Sequence, residues 1–140
     1  MLELFDYAEV NPSVTEEQLT ELKKWLSDNN FPDTELPNDY TAFLRESNGG
    51  DFVKNGREFQ MFKAEEISGF YEAYMFGRFM PFALPFGADG CGNLYIFDKR
   101  KNDSAVYLVD AGYLDWDGDG FDLLAESFRD CVNGNFKQRR

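Results

Sequence analysis

The chain has 140 residues, of which 43% are apolar and 17% aromatic, and a formal net charge of −12 at pH 7. This length and apolar content predict one folded domain with a substantial core and exclude a disordered chain. The acidic charge repels phosphate backbones and anionic lipid headgroups, so neither nucleic acid nor a membrane is expected as a direct ligand. It favours a basic protein partner, unless the acidity serves only to keep the protein in solution.

The sequence contains no histidine, which excludes Ser-His-Asp and Cys-His catalysis within this chain. Cys91 and Cys131 are far apart and form no Cys-x-x-Cys pair, so we expect buried, reduced thiols rather than a disulfide framework. Residues 1–10 lack the basic region of a secretory signal, and no stretch approaches the roughly 20 apolar residues of a membrane span. We therefore expect a cytoplasmic protein.

The first part of the chain predicts a strand and a helix. Residues 1–10 alternate apolar and acidic types, which predicts an edge strand or a segment lying over the core. Ser13 or Thr15 supplies an N-cap with Glu or Gln three residues later. Apolar residues at helical spacing then continue to about Asn29.

A second helix, with both ends marked, is predicted from Pro37 onward. Pro37 suits the first turn because its missing N–H has no helical partner there, and Asp39 places negative charge near the positive end of the helix dipole. Three apolar residues recur at spacings of three and four and share a buried face: Tyr40, Phe43 and Leu44. Asn48-Gly49-Gly50 tolerates positive φ and is predicted to end the helix.

The middle of the chain predicts strands around one more helix. Asn55-Gly56 predicts a hairpin between residues 52–54 and 58–61. Helical spacing predicts a third helix over residues 64–76. Further strands are predicted at residues 82–86, 93–98 and 105–109, with the last two paired.

The remaining elements complete a single α+β domain. A last helix is predicted from apolar residues at helical spacing: Leu123, Leu124, Phe128, Cys131 and Val132. The aromatic side chains between Phe70 and Phe86 are predicted to belong to the core, and the alternative is an exposed adhesive patch or a cofactor pocket. Residues 137–140 form a basic tail that is predicted to be frayed.

Three landmarks in this order resemble the SUKH superfamily, which includes the yeast Smi/Knr cell-wall regulators and many bacterial proteins. The first is Leu36-Pro37-x-Asp39-Tyr40-x-x-Phe43-Leu44, closed by Asn48-Gly49-Gly50. The second is Ala88-Asp89-Gly90 with Gly92-Asn93, which precedes Tyr95-Ile96-Phe97-Asp98. The third is Glu126-Ser127-Phe128. The similarity runs from about Thr15 to Val132, which is most of the chain.

The resemblance implies one domain over residues 1–140, with a core at about 15–132 and a mostly antiparallel sheet flanked by about four helices. It implies no cofactor. For bacterial members it also implies an immunity protein that binds and silences a secreted polymorphic toxin, often a nuclease. The residues shared with the family are largely structural, so no catalytic residue carries over.

The segment Asp115–Gly120, with Glu126 six residues after it, matches the spacing of an EF-hand calcium loop. In that interpretation Asp115, Asp117, Asp119 and Glu126 would surround calcium. However, the residues before Asp115 favour strand and turn, and Asp122 stands where an apolar residue usually packs. Glu126 is better explained as a first-turn acid of the last helix, and the other interpretation of the segment is an ordinary acidic turn.

The same segment is a candidate partner-binding surface, formed by Asp115, Trp116, Asp117, Asp119 and Asp122. Tryptophan is enriched at binding hot spots, and acidic residues at the rim steer a basic partner. The alternative is a solvated loop with Trp116 folded onto the core.

These observations predict a non-enzymatic protein-binding module. The first hypothesis is an immunity protein that neutralises a basic toxin domain through its acidic surface. The second is a regulatory or scaffolding domain without a toxin partner, and the third is a calcium-binding domain.

Overall fold

A computed structural model describes residues 1–137, and the predicted tail residues 138–140 lie outside this range. The described part contains one sheet of seven antiparallel strands and five α-helices. The strands are β1 Tyr7–Val10, β2 Gly50–Lys54, β3 Arg57–Met61, β4 Ala83–Ala88, β5 Asn93–Asp98, β6 Val106–Asp110 and β7 Phe121–Ala125. The helices are α1 Glu16–Asp28, α2 Asn38–Glu46, α3 Ile67–Ala73, α4 Phe76–Phe79 and α5 Phe128–Asn133, with short 3₁₀ turns at Leu2–Leu4 and Ala64–Glu66. The predicted α+β class and antiparallel sheet are confirmed.

The strands follow one another across the sheet in chain order, so β1 and β7 form its two edges. The predicted hairpin is confirmed, because β2 pairs with β3 and the turn residues Asn55 and Gly56 have φ of 51° and 79°. The predicted pairing of β5 with β6 is also confirmed. Strands β4 and β5 lie at the centre and are buried along almost their whole length, as expected for strands covered on both faces.

The two N-terminal helices begin close to the predicted residues. Thr15 caps α1, because its hydroxyl accepts a hydrogen bond from the Gln18 N–H at 3.0 Å while the Gln18 side chain accepts from the Thr15 N–H at 2.9 Å. Pro37 stands one position earlier than predicted, as the N-cap of α2 rather than in its first turn. Asp39 also links two helices, since its carboxylate accepts a hydrogen bond at 2.9 Å from the backbone N–H of Arg129 in α5.

The segment Ser47–Gly50 joins three parts of the chain. Helix α2 ends at Glu46, and Ser47 is extended, so the glycines do not cap the helix as predicted. They do have the predicted positive φ, 76° at Gly49 and 119° at Gly50. A Cβ at Gly49 would lie 2.7 Å from the Met61 carbonyl oxygen, and one at Gly50 would lie 2.3 Å from that of Glu9. Glycine is therefore required here both by backbone conformation and by the closeness of strands β3 and β1.

Asn48 provides the hydrogen bonds of this junction. Its side-chain oxygen accepts from the Ala64 N–H at 2.8 Å, and its side-chain nitrogen donates to the Glu65 carboxylate at 2.8 Å. Its backbone N–H donates to the Pro12 carbonyl at 3.0 Å, and its carbonyl accepts from the Asn11 side chain. One buried amide thus fastens the segment before α1 and the segment after β3 to the end of α2.

An aromatic layer fills the space between helices α2 and α5 and the sheet. The Tyr40 ring lies 5.2–5.4 Å from the rings of three phenylalanines: Phe86 of β4, Phe97 of β5 and Phe128 of α5. Phe43 continues the layer toward β2 by an edge contact with Phe52 at 5.2 Å. The buried face predicted for the second helix is confirmed.

The C-terminal part differs from prediction. Leu123 and Leu124 belong to strand β7, not to the last helix, because residues 121–125 pair with β6. Helix α5 begins at Phe128 after the N-cap Ser127, whose hydroxyl accepts from the Asp130 N–H. Glu126 therefore lies before the helix and is not a first-turn acid.

Two further predictions need correction. The predicted helix over residues 64–76 is divided into a 3₁₀ turn, α3 and the single turn α4, because Met75 adopts a left-handed conformation with φ of 62°. Of the two free thiols, Cys131 is buried as predicted, whereas Cys91 is exposed in the turn between β4 and β5. Within residues 1–137, every helix is too short or too polar to cross a membrane.

A buried ion pair fixes the connection between α1 and α2. The ammonium group of Lys99, which is 1% exposed, lies 2.6 Å from the Asp33 carboxylate and also donates to the Glu35 carbonyl. Lys99 directly follows β5, so this contact attaches the connecting segment to the centre of the sheet. Removing one partner of a buried pair leaves an uncompensated buried charge, which is costly.

Replacing the Tyr40 hydroxyl tests the aromatic layer. This hydroxyl is buried and has no hydrogen-bond partner among residues 1–137, whereas the Tyr95 hydroxyl donates to the Glu58 carbonyl at 2.8 Å. We expect Tyr40→Phe to leave the free energy of unfolding unchanged or to raise it by about 1 kcal/mol, and Tyr95→Phe to lower it by about 1 kcal/mol. Urea unfolding measures both. If Tyr40→Phe lowers the free energy of unfolding as much as Tyr95→Phe does, the Tyr40 hydroxyl is not unpartnered.

Replacing Lys99 tests the buried ion pair. We expect Lys99→Met to lower the free energy of unfolding by about 3 kcal/mol, because the Asp33 carboxylate loses its partner. The matched control is Lys24→Met, which removes a 2.8 Å ion pair with Asp28 whose side chains are both more than half exposed and should change stability by less than about 0.5 kcal/mol. Equal, small effects in the two variants would show that the Lys99 pair does not stabilise the fold.

Candidate functional site

The predicted acidic surface lies on the loop between β6 and β7, residues 111–120, and on the first residues of β7. Asp117 and Asp119 are exposed, while Asp115 and Asp122 are partly buried. The loop turns tightly, because one Asp115 carboxylate oxygen accepts from the Asp117 N–H at 3.0 Å and the Asp115 carbonyl accepts from the Gly118 N–H at 3.1 Å. Asp115, Asp117 and Asp119 are thereby held within one short turn.

Asp122 faces away from Trp116. The neighbouring residue Phe121 contacts the Trp116 ring edge to face, with ring centres 5.2 Å apart. Because successive side chains of a strand point to opposite faces, Asp122 points to the face opposite to that of Phe121 and Trp116. It lies opposite Leu108 in the pairing of β7 with β6. The predicted set is therefore divided between two faces of the sheet edge.

Trp116 is held on several sides by the protein itself. Its indole N–H donates to the Pro81 carbonyl at 2.9 Å, and the Arg100 guanidinium lies 3.6 Å from its ring centre. Arg100 is in turn fixed by two hydrogen bonds to the Asp98 carboxylate, at 3.0 and 2.9 Å, and hydrogen bonding to that carboxylate raises the pKa of Arg100. Trp116 thus anchors the acidic loop to the segment before β4, and one face of its ring is already covered.

Exposed apolar side chains stand beside the acidic loop, at the junction of α3 and α4 and on the loop itself. Four side chains are 37–49% exposed: Tyr74, Met75, Phe79 and Tyr113. The left-handed conformation of Met75 reverses the chain between the two helices. The prediction that the Phe70–Phe86 aromatics are core is confirmed for Tyr71, Phe76 and Phe86, which are buried. It is wrong for Tyr74 and Phe79.

These side chains border a groove of about 390 Å³ between the α3–α4 junction and the β6–β7 loop. Its lining includes Tyr74, Phe79, Tyr113, Leu114 and Asp115. The alternative of an exposed patch formed by the Phe70–Phe86 aromatics agrees with the exposure of Tyr74 and Phe79, but the contribution of the β6–β7 loop to the groove was not predicted. The one sequence signal of this groove is that Phe70–Phe79 contains more aromatic residues than a single helical face can bury.

A second groove, of about 640 Å³, lies between α1 and the 3₁₀ turn before α3. Glu17, Glu21, Glu65 and Trp25 contribute to its lining. It shows that acidic side chains are spread over more than one face of the molecule, in keeping with the overall charge. The acidic loop stands beside a group of exposed apolar side chains, Tyr74, Met75, Phe79 and Tyr113.

The calcium hypothesis gains no support from the loop geometry. An EF-hand loop lies between two helices, whereas this loop lies between strands β6 and β7. In the part of the chain that the structure describes, no three Cys, Asp or Glu side chains group in a way that could hold a metal ion. Glu126, which pairs with Lys137 at 3.0 Å, lies beyond the end of β7.

The second family landmark is structural. The Asp89 carboxylate is buried in the turn between β4 and β5 and accepts hydrogen bonds from the backbone N–H groups of Cys91 and Asn93, at 2.8 and 3.1 Å, and from the Asn93 side chain at 2.9 Å. It therefore shapes the turn. The third landmark, at Glu126-Ser127-Phe128, likewise supplies the N-cap and a buried ring of α5.

The sequence was compared with known families and proteins. The sequence model of the SMI1 / KNR4 family (SUKH-1) matches residues 13–134, which include every helix and all strands except β1. No curated protein matches the chain. All three landmarks lie within the matched residues, and the chain belongs to the SMI1 / KNR4 family (SUKH-1).

Proposed function

We propose that this protein is a non-enzymatic, immunity-type binding module that neutralises a basic toxin domain by contact with its acidic β6–β7 loop. Family membership is consistent with a protein-binding module of this type. The observation that carries the proposal is that Asp115 lines one groove with the exposed rings of Tyr74, Phe79 and Tyr113, while Asp117 and Asp119 lie in the same short turn as Asp115. Exposed aromatic anchors next to a charged rim are the usual composition of a binding hot spot.

The chemistry of the described residues supports binding rather than catalysis. The sequence has no histidine, and burial raises the pKa of the Cys131 thiol to about 12, so that thiol stays protonated at neutral pH and is a poor nucleophile. The other cysteine, Cys91, is also a free thiol. Free thiols suit a reducing compartment, and we propose the cytoplasm as the place where the protein acts.

Co-expression tests the proposal directly. We expect the protein to restore growth of cells that express the toxin encoded next to its gene, and the purified pair to form a complex. Continued cell death together with no complex formation would reject the toxin assignment for that pairing. A complex that forms without restoring growth would instead favour the second hypothesis, a regulatory or scaffolding domain.

Charge reversal tests the acidic loop. Replacing Asp115, Asp117 and Asp119 by Lys removes attraction at the proposed contact, so we expect the association rate constant at low salt to fall about tenfold or more and its salt dependence to flatten. Stopped-flow or surface-based binding kinetics measure this.

The matched control replaces Glu16, Glu17 and Glu21 of α1 by Lys. All three side chains are exposed, and the net charge changes by the same amount as in the loop variant. We expect a clearly smaller fall in the association rate constant, because the reversed charges lie on another face. Equal effects of the two triple variants would show that only net charge matters and would reject the loop as the binding surface.

A further inference from the structure

The groove beside the acidic loop combines aromatic rings with a carboxylate. Tyr74 and Phe79 border it from the α3–α4 junction, and Tyr113 and Asp115 border it from the loop. Asp115 uses one carboxylate oxygen to accept from the Asp117 N–H at 3.0 Å. An ionised carboxylate has about four acceptor positions, so Asp115 can accept further hydrogen bonds from a ligand in the groove.

The Tyr113 ring is held in position although it is 49% exposed. A Cβ atom built on Gly118 would lie 3.0 Å from the nearest Tyr113 ring atom, and one built on Gly120 would lie 3.4 Å from the ring. Neither glycine has positive φ, so the small size of these residues, and not a special backbone conformation, lets the ring lie against the loop. A ring that is fixed before binding loses little conformational freedom when a ligand covers it.

Elsewhere in this protein, an aromatic ring and a carboxylate together already bind a guanidinium group. Arg100 stacks on the Trp116 ring at 3.6 Å and pairs with the Asp98 carboxylate through two hydrogen bonds. In the groove the corresponding groups are Tyr113 and Asp115. Arg78 lies 5.2 Å from the Phe79 ring centre, whereas no Lys or Arg among residues 1–137 lies over the rings of Tyr74 or Tyr113.

We propose that this groove receives an arginine side chain from a loop of the basic partner, with the guanidinium stacked on Tyr113 and hydrogen-bonded to Asp115. This assignment rests on the proposed function. Arginine fits better than lysine because its planar guanidinium both stacks on aromatic rings and pairs with a carboxylate in a fork geometry. A basic partner is favoured over a second copy of this chain, because two molecules of net charge −12 repel each other.

A titration with a small probe tests the groove without any partner. The probe is N-acetyl-arginine amide, and the control is N-acetyl-citrulline amide, which has nearly the same shape but no charge. We expect saturable NMR shift changes, in the millimolar range, at the Tyr74 and Tyr113 rings and at the backbone of residues 113–118, with at least tenfold weaker binding of the citrulline compound. Shift changes spread over all acidic faces, or equal binding of the two compounds, would overturn the assignment.

Glycine substitutions separate the position of the Tyr113 ring from its chemistry. Gly118→Ala places a methyl group 3.0 Å from both the Tyr113 ring and the Asp115 Cβ, so it should displace both binding groups and weaken arginine binding at least fivefold. Tyr113→Ala and Asp115→Asn, which each remove one of the two groups, should weaken it as much. The matched control is Gly69→Ala in α3, where an added Cβ meets no atom within 4 Å, and binding should be unchanged. An unchanged affinity in Tyr113→Ala and Asp115→Asn, with the fold intact by circular dichroism, would overturn the proposal.

The complex with the toxin distinguishes the groove from the wider proposal. We expect Tyr113→Ala to raise the dissociation constant for the toxin at least tenfold, and a single arginine of the toxin to account for that effect in a double-mutant cycle. If wild-type protein binds the toxin and Tyr113→Ala binds equally well, the groove assignment fails and the proposed function stands. If wild-type protein binds no toxin, the proposed function fails. The arginine titration then decides by itself whether the groove assignment stands.

Discussion

The packing of the Tyr40 ring against Phe86, Phe97 and Phe128 is the contact on which the remaining architecture depends. These four residues come from α2, from the neighbouring strands β4 and β5, and from α5, and long stretches of chain separate the two helices from the strands. Each ring is fully or almost fully buried, so the four elements can exclude water only when all are in place. Burial of several large aromatic side chains contributes more to stability than any other local interaction described here.

The polar contacts then determine how the connecting segments lie on this core. Asn48 attaches the segments before α1 and after β3 to the end of α2, and Lys99 attaches the α1–α2 connection to the end of β5. The Asp39 carboxylate accepts a hydrogen bond from a backbone N–H at the start of α5, and the Asp89 carboxylate accepts one in the β4–β5 turn. These four polar side chains, which lie at the family landmarks or beside them, thus make structural contacts with backbone groups and with other side chains.

The candidate binding surface is built where this core ends. The β6–β7 loop contributes nothing to the aromatic layer around Tyr40, yet Trp116 fastens it to Pro81, and Gly118 and Gly120 let Tyr113 lie against it. A loop held in this way presents its carboxylates and rings in a fixed arrangement, which lowers the entropic cost of binding. The sequence left two interpretations of Trp116 open, a binding hot spot or a ring folded onto the core. In the structure Trp116 packs against the core and positions the loop. The exposed ring at the groove is Tyr113.

Local signals in the sequence were sufficient for much of the fold. The Thr15 capping box, the Asn55-Gly56 hairpin and the buried face of α2 were predicted correctly because each depends on residues within one or two turns of chain. The prediction failed for β7, since Leu123, Leu124 and Phe128 have a spacing that suits a helix as well as a strand. Residues 121–125 form a strand because they pair with β6. The third helix was interrupted at Met75, two residues before the helix-breaking Gly77.

The sequence by itself determined the α+β class, the family and the acidic character of the surface, because composition, caps and turn residues act locally or as a sum over the chain. Only the tertiary structure decided which acidic residues share a face and which aromatic residues stay exposed. It separated Asp122 from Trp116, buried Phe76 and Phe86 while leaving Tyr74 and Phe79 at the surface, and brought the α3–α4 junction next to Tyr113. Those outcomes depend on contacts between residues that are far apart in the chain, and no spacing within a single segment encodes them.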